Sequence, residues 1–462
     1  MAKDREFRGK RITVVGLGHF GGGVAVARWL AGHGAVVTAT DAKPAAELSD
    51  EVPRLEELGV TLRLGGHDAS NFTQADLVVT SPALPPRHEL LEAARHAGAL
   101  VTTEICLLVE RLPTKLVLGV TGTKGKSTTA SLLARMLGAW RPMPGERAEK
   151  VRARRSSLID LTRDVARRVW LGGNLGGSLL ADLDAMTPDD FVVLELSSAM
   201  LHYLAELEWS PHVGLATMIG VDHLAWHGSE AAYHEAKGNL VRFQNESDFA
   251  VLPTTSPIAR SLKDVTQATV VEYGKRAHLP EAFAPKLFGK HNRVNERGAY
   301  AAAALFGIYP DQAAEACADF SGLPHRLSEV HVDDRGVRWV DDSIATIPEA
   351  AAAACRAFPK GTVLQIVGGS DKGLDPTPML DTLADWCRVV LCIGDTGTML
   401  ADRFGDRAVV CHDLATAVVT ARRESQPGDT VLLSPGYASY DQFTNFEERG
   451  QEFARLASDP AG

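Results

Sequence analysis

Residues 116–130, Leu-Val-Leu-Gly-Val-Thr-Gly-Thr-Lys-Gly-Lys-Ser-Thr-Thr-Ala, constrain the fold of this chain more tightly than any other stretch. An apolar, branched run ending in small residues reads as a buried strand, and the pattern from Ser131 to Leu137 reads as the opening of a helix. The segment between them has the composition of a phosphate loop. Gly122 and Gly125 allow backbone N–H groups to close on phosphate oxygens at a helix N-terminus, with Thr123, Lys124 and Thr128 in the same loop and first turn. Lys126 brings positive charge, and the Ser127 hydroxyl brings a ligand for Mg²⁺. The general pattern has glycine where Val120 stands, so this is the shorter Gly-Thr-x-Gly-Lys-Ser form.

A strand, loop and helix of this kind belong to an α/β architecture, and 462 residues leave room for about three domains. The formal net charge of −10 argues against a nucleic-acid partner, because no dominant basic surface would neutralise a phosphate backbone. Anionic ligands must then be met by local sites. Cys106, Cys317, Cys355, Cys387, Cys392 and Cys411 are scattered without Cys-x-x-Cys spacing, which points to neither a zinc site nor a disulfide framework. The charged start Met1-Ala2-Lys3-Asp4-Arg5-Glu6 has no apolar signal core, and no later apolar run is long enough for a bilayer. A soluble, cytoplasmic protein without membrane insertion is expected, acting as a monomer.

The chain opens with Arg11–Val15 as a strand, then Gly16-Leu17-Gly18-His19-Phe20-Gly21, a helical run through Val24–Leu30, and Val36–Thr40 as a second strand ending at Asp41. This is a Rossmann-type start with an acid at the end of its second strand. Taken alone it makes NAD binding the leading idea, although any nucleotide diphosphate on this helix dipole needs the same glycines. Further βα alternation follows through Leu77–Pro82 and Leu100–Thr102, and Pro113 marks a boundary. After the phosphate loop, a basic segment with Lys150, Arg152, Arg154, Arg155, Arg163, Arg167 and Arg168 reads as a solvated helical insertion. Phe191–Ser198 is a buried strand ending in a carboxylate and hydroxyls, and its Glu195 stands where such an acid can hold the metal of a Mg²⁺-nucleotide. His223 is a candidate ligand for a second metal, and Lys237 is either a plain surface lysine or the carrier of a carbamate. Asn292 and Asn295 suit a purine base or its phosphates, with helix capping as the ordinary alternative. Phe320–Arg326 carries Gly and Pro and fits a linker, after which a third domain alternates strands and helices, with loops at Asp341-Asp342-Ser343, Gly368–Lys372 and Ser434-Pro435-Gly436.

In sum these ordered motifs resemble the Mur ligases, the ATP-dependent amino-acid ligases of peptidoglycan precursor synthesis in bacterial cell-wall growth and division. The motifs that carry the resemblance are the phosphate loop, Gly172-Gly173-Asn174-Leu175-Gly176, Leu194-Glu195-Leu196-Ser197-Ser198, Asp222-His223-Leu224, Tyr233 with Ala236-Lys237, and His291-Asn292 with Asn295. Gly322-Leu323-Pro324-His325-Arg326, Asp342-Ser343, Asp371-Lys372-Gly373 and Leu432-Leu433-Ser434-Pro435 continue it. The run Ala438-Ser439-Tyr440-Asp441-Gln442-Phe443, with Asn445-Phe446-Glu447 and Arg449-Gly450, is similar to the branch that adds D-glutamate.

The resemblance implies three α/β domains: a Rossmann-like UDP-binding domain over 1–113, a P-loop ATP-binding domain over 114–321 with the basic insertion near 140–170, and a Rossmann-like glutamate-binding domain over 322–462. It implies that Lys126 binds the β- and γ-phosphates, that Ser127 and Glu195 hold one Mg²⁺, and that His223 and a carbamylated Lys237 hold a second. Asn292 and Asn295 would meet adenine, Arg326 phosphate, and Asp342 the ribose of ATP. Gly16, Leu17 and Gly18 would then bind UDP rather than NAD, with Asp41 near uracil and with Asn174 and Ser197 lining the channel for UDP-N-acetylmuramoyl-L-alanine.

For the incoming glutamate, Thr346, Lys372, Ser439 and the Phe446 backbone are the expected partners. Here the chain departs from its family, because the usual Asp-Ser-Lys-Ala-Thr-Asn run reads Asp342-Ser343-Ile344-Ala345-Thr346-Ile347. A Ser-Ile-x-Thr run followed by Ser-Pro-Gly is similar to a smaller branch that adds L-glutamate, whereas Ser439 through Arg449 favours D-glutamate. Met218, Ala199-Met200 and Ala83 are further departures along the substrate channel. Two other classes compete: a non-catalytic UDP-sugar sensor, which the retained Lys126, Ser127, Glu195, His223 and Lys237 disfavour, and an NAD-dependent dehydrogenase, which explains only the first forty or so residues.

Overall fold

The computed structural model describes residues 6–18, 22–49, 51–82, 84–142, 164–274 and 287–459. Lys150, Arg152, Arg154, Arg155 and Arg163 of the basic segment fall outside them, as does Ala83. At the described end of that segment Arg168 is exposed, as a solvated segment requires, and Arg167 is not. The Arg167 side chain is only 3% exposed, donates to the Asp189 carbonyl at 2.6 Å, and lies 4.7 Å from the Trp140 ring centroid. A guanidinium sheltered by an indole and a neighbouring carbonyl is held in place.

The described residues form three parallel or mostly parallel sheets. The first contains β1 (Arg11–Val15), β2 (Val36–Asp41), β3 (Thr61–Leu64), β4 (Leu77–Thr80) and β5 (Leu100–Thr102), in the order β3-β2-β1-β4-β5. The second contains β6 (Val117–Thr121), β7 (Val169–Gly173), β8 (Phe191–Glu195), β9 (Val213–Ala216), β10 (Phe249–Pro253) and β11 (Thr269–Tyr273), in the order β11-β10-β9-β6-β8-β7. The third contains β12 (Ser328–Val332), β13 (Arg338–Asp341), β14 (Val363–Gly368), β15 (Cys387–Ile393), β16 (Ala408–His412) and β17 (Thr430–Leu433), in the order β12-β13-β17-β14-β15-β16. Among the described strands only β12 runs antiparallel to its neighbour. Parallel strands covered on both faces need continuous apolar runs, and β6, β8, β9 and β14 are buried along their whole length. Each fully buried Val, Leu or Phe there contributes about 1.5–3 kcal/mol.

By compactness the chain divides into two units, Met1–Pro280 with Val294–Ala316, and Glu281–Arg293 with Cys317–Gly462. The first unit holds the first two sheets, whose cores run together through residues such as Leu107, Leu179, Leu201 and Leu204. The second holds the third sheet, with one core on each face. In the second sheet β6 has β8 on one side and β9 on the other, so the chain leaves it in both directions and a crevice opens at its carboxyl end. The phosphate loop lies there. No helix among the described residues is long and apolar enough to cross a membrane.

Candidate active site

Strand β6 ends with Val120 beside Glu195 of β8 and Thr121 beside Ala216 of β9, so the phosphate loop starts between an acid and a small residue. Gly125 caps the helix Lys126–Gly138 with φ +91°, and a Cβ there would lie 2.5 Å from Asn295 Oδ1. Both the left-handed backbone and the close approach of Asn295 require glycine. The first amides of that helix have no intrahelical acceptors and carry the positive end of its dipole. The loop is stitched to the segment after β9: Thr123 N donates to Met218 O at 2.7 Å, Thr217 Oγ1 donates to Lys124 O at 2.7 Å, and Gly220 N donates to Thr123 Oγ1 at 2.9 Å. Tyr233 places its hydroxyl 2.8 Å from the same Thr123 oxygen. Lys126 Nζ donates to Thr123 O at 3.2 Å, Ser127 is half-buried, and Thr128 is buried.

Glu195 is 1% exposed. Asn174 Nδ2 donates to its Oε1 at 3.1 Å, while its Oε2 has no partner. A buried carboxylate oxygen without a donor is costly unless a cation meets it. Lys237, on the helix Glu230–Arg242, is 2% exposed, so it is not a surface lysine. Its Nζ donates to Gly122 O at 2.9 Å and to Thr121 Oγ1 at 3.0 Å. Burial, helped by the charge of Lys126, pushes its pKa well below that of a free lysine against the pull of Glu195 and Asp222. His223 is different: its side chain is 65% exposed, its φ is +50°, and its Nε2 lies 3.6 Å from Asp222 Oδ2. Among the described residues no group of three or more His, Cys, Asp or Glu side chains is gathered to hold a metal.

In the first domain, both oxygens of Asp41 are engaged by backbone amides: Leu17 N donates to Oδ2 at 2.7 Å and Lys43 N to Oδ1 at 3.0 Å. The acid therefore ties the Gly16–Gly18 turn to the end of β2. The glycine that lets the helix Gly22–Gly32 approach this turn is Gly23, where a Cβ would lie 2.1 Å from Gly16 O. His19, Phe20 and Gly21 lie outside the described residues. Ser197 spends its hydroxyl on capping the helix Ser198–Leu204, accepting from Met200 N at 3.1 Å.

In the second unit, Asn292 is buried and its Nδ2 donates to Phe288 O at 2.7 Å. Arg326 is exposed between His325 and Leu327, which have φ +60° and +46°. The two acids at the end of β13 hold this strained turn: His325 Nδ1 lies 2.7 Å from Asp341 Oδ2, and Leu327 N donates to Asp342 Oδ1 at 3.1 Å. Thr346 is half-buried and Lys372 exposed, each in a loop at a strand's carboxyl end. Ser439 is buried, and half-buried Phe446 opens the helix Phe446–Ser458. Arg449 carries a role that its bare presence in the sequence does not reveal. It is 1% exposed, and its guanidinium donates to Ser343 Oγ and Ser343 O at 2.9 Å, to Tyr437 O at 3.2 Å and to Ala438 O at 3.3 Å. The only sequence signal for this was an arginine beside Gly450 on an otherwise apolar helix face.

Asp342 is buried and accepts from Ser434 Oγ at 2.7 Å, yet burial pushes its pKa up to about 7 from 3.8. Between those values the folded chain holds a proton that the unfolded chain has released. The stabilisation from that proton is complete below 3.8 and is lost as pH rises through about 7. Asp342→Asn is expected to match the parent near pH 4 and to exceed its stability by about 1–3 kcal/mol at pH 8. Melting curves across pH check this, and a parallel loss of stability with pH in both proteins would refute it.

Three family descriptions match the chain: the MurD-like N-terminal domain of Mur ligases over residues 10–103, the Mur ligase middle domain over 120–298, and the Mur ligase glutamate ligase domain over 325–436. The UDP-N-acetylmuramoylalanine--D-glutamate ligase of Roseiflexus sp. (strain RS-1) is 37% identical over 488 aligned positions, spanning 98% of this chain and 99% of that one. The enzyme of the same name from Anaeromyxobacter dehalogenans (strain 2CP-C) is 36% identical, with 99% of each chain covered. Among solved structures, the UDP-N-acetylmuramate-alanine ligase MurC of Thermotoga maritima has a TM-score of 0.58 at 20% identity, over 96% of this chain and 98% of that one. The MurF ligase of Thermotoga maritima, in complex with ADP, has a TM-score of 0.54 at 18% identity, over 98% of this chain and 96% of that one. These two structures share the fold.

Proposed function

This chain belongs to the Mur ligase family, and on that footing we propose that it joins D-glutamate to UDP-N-acetylmuramoyl-L-alanine at the expense of ATP, in peptidoglycan precursor synthesis. The observation that carries the proposal is the phosphate loop itself: it stands between a buried carboxylate with an unpartnered oxygen and a buried amine bonded to the loop. Such a loop suits transfer of the γ-phosphate to the substrate carboxylate, giving an acyl phosphate that the amine of glutamate attacks with loss of phosphate. Little covalent chemistry is asked of the protein, and its work is positioning and charge neutralisation.

Lys126 and the helix amides bind the β- and γ-phosphates in this reading. Mg²⁺ is ordinarily held by one or two carboxylates together with phosphate oxygens, so Ser127 and the free oxygen of Glu195 fit one ion without a larger acid cluster. Lys237 as an ammonium ligates nothing, but carbamates form on neutral amines, which its burial favours. Carbamylated, it would supply oxygens for a second ion with His223. When bound, the ions neutralise charge on the transferring phosphoryl group. Asn292, Asn295, Arg326 and Asp342 are proposed for ATP, Gly16, Leu17, Gly18, Asp41, Asn174 and Ser197 for the nucleotide sugar, and Thr346, Lys372, Ser439 and Phe446 for glutamate. Domain limits near 113 and 321, a cytoplasmic location and action as a monomer complete the proposal.

The test is phosphate release with ATP, Mg²⁺, UDP-N-acetylmuramoyl-L-alanine and each glutamate enantiomer in turn. Release is expected with D-glutamate. Preference for the L-enantiomer would reverse the stereochemistry, and silence with both would remove the ligase reading.

A further inference from the structure

Within four residues of His223, the chain makes bonds that none of the proposed ligand roles uses. Leu224–His227 is a single helical turn that begins at His223, and Leu224 on it is 45% exposed. Trp226 points the other way, and its Nε1 donates to Pro82 O at 2.8 Å. Pro82 lies in the loop after β4, and β4 pairs with β1, so this loop borders the crevice between β1 and β4 where an open parallel sheet takes its ligand. The indole is flanked by the rings of His202 at 5.4 Å and His227 at 4.4 Å. His227 Nε2 lies 2.9 Å from Ser198 Oγ, and its ring meets Tyr233 edge-on at 5.4 Å, the tyrosine bonded to the phosphate-loop Thr123.

We infer that Trp226 is a positioning residue: its indole N–H ties the crevice loop of the nucleotide-sugar domain to the turn that carries His223, so that docking of the nucleotide sugar sets the place of His223 near the phosphate loop. This rests on the proposed ligase reading for the role of His223. Physically, the far end of the turn is held by His227 on Ser198 and Tyr233, whereas His223, Leu224 and Ala225 face solvent and a one-turn helix has almost no stability of its own, so the indole N–H is the bond that joins the turn to the loop at Pro82. A ligand that bears on Pro82 is therefore felt at the turn through the indole, and the coupling is reciprocal.

The experiment uses the full chain with Trp226→Phe, and with benzothienylalanine placed at 226, which exchanges the indole N–H for sulfur and keeps the shape. Calorimetric binding of UDP-N-acetylmuramoyl-L-alanine is measured without ATP or Mg²⁺, together with amide exchange over residues 224–228 and steady-state kinetics. Loss of one neutral hydrogen bond is expected to raise both Kd and KM for the nucleotide sugar about three- to tenfold in either variant, with KM for glutamate unchanged. Substrate binding is expected to slow exchange at His227 and Gly228 in the parent and not in the variants. Unchanged Kd with retained protection would overturn the inference, as would an earlier melt with no change in either readout. A parent that binds the nucleotide sugar but forms no product would sink the ligase reading instead, while the exchange comparison would still decide whether the indole couples the two segments.

Discussion

Glu195→Gln is expected to lower kcat by about 10²–10³ while leaving the melting temperature nearly unchanged, and to raise the Mg²⁺ concentration needed for half-maximal rate. The two outcomes separate because the substitution keeps size and shape. Asn174 Nδ2 can still donate to the remaining oxygen at the position of Oε1, so the link between the Gly173 turn and β8 survives. What disappears is the charge on the unpartnered, buried side. A cation lying against phosphate oxygens is then held by one anionic ligand fewer, and excess Mg²⁺ restores part of the rate. Titration of Mg²⁺ against phosphate release measures this. Parental activity at low Mg²⁺ would place the ion on other residues.

The sequence was most legible where a local rule decides the outcome. The strand into Thr121, the glycine at 125 and the helix from Lys126 follow from apolar runs, a left-handed cap and helix periodicity, all within fifteen or so residues of one another. Glu195 was readable for the same reason, as an acid at the end of an apolar strand. The residues that assemble the site from a distance were not. Arg449 meets Ser343 across 106 positions and Trp226 meets Pro82 across 144, and no periodicity in either neighbourhood encodes such partners. Beyond the glycines of the Rossmann-type fingerprint, Gly23 makes a close approach of helix to turn that the fingerprint does not mark. Arg167, unlike its exposed neighbour Arg168, departs from the reading of its segment. Charge runs usually face water, but Trp140 and the Asp189 carbonyl gave this one a sheltered place. Asp41 reads as a ligand group from its position alone, whereas its two amide bonds also make it the clasp of the glycine turn.

Lys237→Ala is expected to reduce the rate by about 10³ or more, and added formate or acetate to recover part of it. The lysine is buried with its Nζ on Gly122 O and Thr121 Oγ1, so truncation opens a cavity beside the phosphate loop and leaves two oxygens without their donor. A stability loss of about 2–4 kcal/mol accompanies it. Stability alone could thus silence the enzyme, and Lys237→Met separates the causes. Methionine fills most of the volume, so this variant is expected to melt closer to the parent and to be equally inactive, but to gain nothing from formate because the cavity is closed. If the lysine acts as an ammonium, small carboxylates rescue neither variant, since they bring the opposite charge. If it acts as a carbamate, only the alanine variant responds, because a carboxylate in the cavity restores the missing oxygens. Full activity in either variant would remove Lys237 from the reaction altogether.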